Sequence, residues 1–147
     1  MNNTALIRGD EGQLRLEILD YENTQAQTIH DANWLRVAVD VKAGPFSGSI
    51  GLALSAVELK TLYLELSRAT ETLTGSIDFT SMEGNLCLKV DFGRTGVVLM
   101  RGVVTPNEPE GNELHFQFHT DPAALEGAVQ EFKRLAVQFP AKQSIQM

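Results

Sequence analysis

The sequence predicts an α+β fold: a single domain with a curved antiparallel β-sheet and two α-helices packed on it, in the order strands, helix, strands, helix. Three observations carry this. Several short runs alternate apolar and polar residues, the period of strands with one face on a core. Two longer segments switch to helical spacing. Tight Gly-containing breaks join neighbouring strand runs, which fits hairpins and not the long crossovers of a parallel sheet.

The elements follow in order. Leu14, Leu16 and Ile18 alternate with Arg15 and Glu17, and Leu35, Val37, Val39 and Val41 alternate with Arg36, Ala38 and Asp40. Between them lies a polar stretch, Asp20 to Asn33, without Lys or Arg. Gly44-Pro45 supplies a turn, and Ile50, Leu52 and Leu54 resume a strand. Gly48, Gly51 and Ala53 read as its small face, where another element approaches or a bulge forms. Ser55 and Glu58 have capping-box spacing. Leu59, Leu62, Tyr63, Leu66 and Leu73 then give a helix of about four to five turns, with Gly75 as its stop.

A second strand group contains Ile77 and Phe79, then Leu86, Leu88, Val90 and Phe92, then Val97 to Val104, then Leu114 to His119. Asp121 reads as the N-cap of the last helix and Pro122 as its first residue. Leu125, Ala128, Val129, Phe132, Leu135, Ala136 and Phe139 form its apolar stripe, with Lys133 and Arg134 towards the negative end of its dipole and Pro140 as the terminator. Residues 1–140 are thus expected to form one domain and 141–147 a flexible tail.

Composition narrows the function. The 147 residues are 43% hydrophobic and 21% charged, ordinary for a folded chain and unlike a disordered one. No apolar run approaches the ~18 residues of a membrane span, and no secretory signal is visible, so a cytoplasmic location is expected. Twelve Lys and Arg against nineteen Asp and Glu give a net charge of −7, which disfavours nucleic acid. The lone Cys87 excludes an intramolecular disulfide and reads as a structural thiol opposite the leucines of its strand.

No enzyme motif stands out, and neither a cofactor nor a metal is expected. His115 and His119 share a strand face but stand about 13 Å apart, too far to chelate one ion. His30-Asp31 lacks an accompanying nucleophile motif. Phosphate-loop and Gly-x-Ser-x-Gly signatures are absent. Binding features remain: Asp20, Tyr21, Glu22 and Asp31 in one polar loop, and Glu108, Glu110 and Glu113 in another. Trp34 falls on the outer face of its strand with Arg36, where it covers a small second core or anchors a partner.

Asn33-Trp34-Leu35, Gly44-Pro45-Phe46-Ser47-Gly48, Glu58-Leu59 with Leu66, and Leu114-His115-Phe116-Gln117-Phe118 leading into Asp121 are similar to the WapI-type bacterial immunity proteins. The resemblance runs from Trp34 to Pro140. It implies a cytoplasmic, non-enzymatic protein that neutralises a cognate toxin by direct contact, and it transfers no contact residues. The two acidic loops and Trp34 are then the candidate partner-binding residues. The alternative is a small-ligand-binding module with a cavity between sheet and helices.

Overall fold

A computed structural model describes residues 3–22 and 28–143, except for the side chain of His30. The chain is α+β and its strands are all antiparallel, but they divide into two four-stranded sheets. The first sheet contains β1 (Thr4–Gly9), β2 (Gly12–Tyr21), β3 (Trp34–Ala43) and β4 (Phe46–Ser55), in that order. The second contains β5 (Ser76–Thr80), β6 (Leu86–Phe92), β7 (Val98–Val104) and β8 (Leu114–Thr120), again in sequence order. The short α1 (Ile29–Ala32) lies in the β2–β3 connection, α2 (Ala56–Thr72) joins the sheets, and α3 (Pro122–Gln138) follows the second.

β2 and β3 bury their expected faces. Leu14, Leu16 and Ile18 of β2, and Leu35, Val37, Val39 and Val41 of β3, are almost fully buried. Met100, Phe116 and Phe118 extend the same hydrophobic cluster from the second sheet, and Leu59, Leu62, Leu66, Leu125, Phe132 and Leu135 from the helices. Fully burying such a side chain contributes about 1.5–3 kcal/mol relative to exposure.

β8 joins the sheets by crossing the hairpin end of the first. Phe118 lies where a side chain on Gly9 or Gly12 would stand, and Leu114 reaches Gly48 on β4. Asp10 N–H donates to the His119 carbonyl at 2.7 Å, and Thr120 donates its hydroxyl proton to the Arg8 carbonyl. Glycine at 9 and 12 is what lets an aromatic ring approach this backbone so closely.

The helix starts match their sequence signals. Ser55 Oγ accepts from Val57 N–H at 3.2 Å, while Glu58 accepts from Ser55 N–H at 2.8 Å. Asp121 accepts from Ala124 N–H at 2.8 Å and Pro122 opens α3. Their ends differ from expectation. Leu73 adopts the left-handed conformation (φ 55°) and donates to Ala69, so α2 stops before Gly75. Lys133 and Arg134 precede the last turn of α3, and Arg134 instead donates to the Thr4 carbonyl at 3.1 Å.

Other differences have local causes. Gly48 shares the core-facing phase of Leu52 and Leu54, while Gly51 meets open space on the solvent side. The Gly44-Pro45 turn follows the expected hairpin chemistry: Gly44 has φ +59°, suited to the first central position of a tight hairpin. A register shift between Ile18 and Asp20 turns Leu19 outward and sets Tyr21 opposite Leu35. Within the expected tail, Lys142 N–H donates to Asn33 Oδ1 at 2.5 Å; residues 144–147 lie outside the described residues.

Candidate partner-binding surfaces

The β2 bulge and the short α1 shape the first acidic cluster. Asp20, Glu22 and Asp31 are exposed, and Tyr21 and Trp34 are half-buried. Tyr21 is committed to the fold: its hydroxyl donates to the Pro140 carbonyl at 2.7 Å, and its ring meets Phe139 edge-on at 5.9 Å. Burial, then the neighbouring Asp20 carboxylate, push the Tyr21 hydroxyl pKa above its ordinary value. Asn33 also secures this end, donating to the carbonyls of Ile29 and Lys142.

The fold brings cations to this cluster that chain proximity does not reveal. Asp20 pairs in register with Arg36, and Lys142 Nζ lies 4.0 Å from the centre of the Tyr21 ring. The cation–π contact needs Lys142 to return from the far end of the chain, so no local motif announces it. This end therefore presents three exposed carboxylates around an ordered aromatic-cation contact. Trp34 shares Arg36's strand face, in the expected phase.

The second acidic cluster lies on the β7–β8 loop. Glu108 Oε1 accepts from Asn112 Nδ2 at 2.6 Å, and Glu113 Oε1 pairs with His115 at 3.1 Å. Asn85 anchors the loop base by donating to the Thr105 carbonyl and Asn107 Oδ1. Glu108, Glu110 and Glu113 are all exposed. The loop enters β8 at Leu114, which touches Gly48, whereas Leu54 faces Leu35 near the first cluster. Those β4 anchors are separated by about 20 Å along an extended strand, so the structure keeps the acidic patches apart.

A third surface is less apparent in sequence. The solvent face of the second sheet holds an open groove of about 530 Å³, with Asp78, Cys87, Lys89, Arg101, Val103, His115 and Gln117 in its lining. Lys89 and Arg101 are opposite each other in register, and Arg101 pairs with Asp91 at 2.8 Å. Strand alternation places Cys87 on this face, but the lateral pairing that assembles the groove is not encoded in any one run. His119 is exposed on β8, and Asp31 is exposed on α1; the side chain of His30, its partner in the His30-Asp31 pair, is not described.

Residues 5–140 match the immunity protein WapI-like family. The chain belongs to this family. Membership extends the resemblance seen from Trp34 back through β1 and β2, so both sheets and both long helices lie within it. No curated protein matches the sequence. Among solved structures, the plant transcriptional regulator PBF-2 is similar with TM-score 0.54 and 13% identity, over 95% of this chain and 82% of that one. That likeness concerns the fold. Among the described residues, no helix is long and apolar enough to cross a membrane.

Proposed function

We propose that this member of the WapI-like family is an immunity protein that neutralises a cognate toxin by direct protein–protein contact in the cytoplasm of the producing cell. The observation carrying this reading is the family match over residues 5–140. The net charge of −7 supports an electrostatic contribution to encounter with a basic toxin surface. The reading is non-enzymatic and requires neither metal nor cofactor.

The proposed contact residues are Asp20, Tyr21, Glu22, Asp31 and Trp34 at one end, with Glu108, Glu110 and Glu113 on the other loop. Exposed carboxylates provide long-range attraction, while Trp34 supplies apolar contact area. The open groove on the outer sheet face differs in position from the cavity between sheet and helices expected of a ligand module.

The test uses a candidate cognate toxin, the first choice being any toxin whose gene adjoins that of this chain. Isothermal titration calorimetry and a co-expression survival assay compare the wild type with Asp20→Lys/Glu22→Lys/Asp31→Lys and Glu108→Lys/Glu110→Lys/Glu113→Lys. Loss of binding and protection in either folded variant supports the assigned surfaces. Full retention in both overturns those surfaces, and absence of wild-type binding overturns direct neutralisation.

A further inference from the structure

The two edges of the first sheet are treated differently. Three outward backbone groups along β1 are engaged: Leu6 N–H donates to Glu131 at 2.9 Å, Arg134 donates to the Thr4 carbonyl, and Thr120 donates to the Arg8 carbonyl. The adjoining Asp10 N–H is bound by β8. These contacts cover an edge that otherwise offers a template for another strand.

At the opposite edge, β4 runs for ten residues, Phe46-Ser47-Gly48-Ser49-Ile50-Gly51-Leu52-Ala53-Leu54-Ser55, without a charge or proline. The Ala56 N–H to Asn33 carbonyl bond and the β3–β4 register set its backbone phase. Even-numbered β4 residues direct their backbone groups to β3; Ser47, Ser49, Gly51 and Ala53 direct theirs away. Ser55 shares the outward phase, and Glu58 takes its N–H. Among the described residues, no strand pairs with this outer side.

The exposed side chains at its ends favour a particular occupant. Phe46 is 69% exposed just before the outward ladder, and Val57 is 54% exposed just beyond it. Antiparallel pairing centred on Gly51 sets Ser49 opposite Ala53 of the second copy, and Phe46 beside Ala56 and Val57 of that copy. The same register matches the outward backbone donors and acceptors of Ser49, Gly51 and Ala53, and sets the exposed Phe46 and Val57 near each other, twice over by twofold symmetry. No like charges meet across the strands.

We propose that the free edge of β4 pairs antiparallel with β4 of a second copy of this chain, joining the two first sheets into one continuous sheet. This interface is independent of the toxin-binding assignment. It gives the uncharged edge a defined occupant, while α3 and β8 close the β1 edge.

Sedimentation equilibrium of the purified chain across protein concentrations provides the test, with Gly51→Pro and Phe46→Asp as variants. Proline at 51 removes an outward N–H without removing a β3 ladder donor, and an added Cβ there meets open space. A wild-type dimer, weakened at least about tenfold by Gly51→Pro with unchanged circular dichroism, supports the interface. If that variant misfolds, dimer loss in folded Phe46→Asp supports it, and an undiminished dimer overturns it. A wild-type monomer throughout, or a dimer insensitive to both folded variants, also overturns it.

Discussion

Replacing Glu58 with alanine should destabilise the junction between α2 and the second sheet. Glu58 is 7% exposed and serves two backbone donors: Oε2 accepts from Ser55 N–H at 2.8 Å, and Oε1 accepts from Met82 N–H. The first contact completes the α2 capping box; the second ties that helix start to the β5–β6 connection. Leaving a buried donor unsatisfied costs about 1–3 kcal/mol, and the Met82 donor regains some water because its site is only part-buried. The expected loss is therefore about 2–4 kcal/mol. For a chain of this size it lowers Tm by about 5–15 °C.

Glu58→Gln keeps the side-chain length and one oxygen acceptor but replaces the other with an amide donor, so its loss should be intermediate. Urea unfolding followed by circular dichroism gives the free energies, and native-state hydrogen exchange reads the Met82 amide. Both variants should reduce stability, with Met82 protection falling most in Glu58→Ala. Stability within about 0.5 kcal/mol of wild type for Glu58→Ala, with Met82 protection retained, would refute the bridging role.

Gly9→Ala should destabilise the crossing of the sheets by at least about 1–3 kcal/mol, because its added Cβ would stand 2.3 Å from the His119 carbonyl oxygen; a denaturation midpoint equal to wild type contradicts this. Phe132→Ala, at a fully buried α3 position, should cost about 3–5 kcal/mol in the same assay; a neutral substitution would show that the site refills without loss. Tyr21 has a raised folded-state pKa relative to 10.0, so its stabilising contribution is full below about pH 10 and is lost as pH rises through the folded value. Tyr21→Phe should remove that alkaline stability slope and loosen residues 140–142, and an unchanged slope would contradict the linkage.

Local chemistry made much of this fold legible. Ser55/Glu58 and Asp121-Pro122 declared both long helix starts, and period-two apolar runs gave the inner faces of β2, β3, β6 and β8. β1 was harder to read because Ala5 and Ile7 supply only a short alternation; its packing comes from β2, β8 and α3. Division into two sheets also depends on lateral pairing, which strand periodicity leaves open. The β2 bulge changes phase within one strand, a change that a continuous alternation cannot express.

The candidate surfaces were only partly legible for the same reason. Sequence located the acidic loops, but Arg36 and Lys142 enter the first cluster through strand pairing and chain return. The outer-sheet groove draws side chains from four strands, so its shape emerges only after their register is set. The uncharged composition of β4 was visible directly; its free edge became visible only through the sheet order.

The most direct test of neutralisation is calorimetric titration of this protein into the purified toxic domain of a candidate cognate toxin, paired with an assay of that toxin's activity. The account predicts saturable binding, at micromolar affinity or tighter, and matching loss of toxic activity. Full toxic activity with no binding heat and no complex by sedimentation would contradict direct neutralisation.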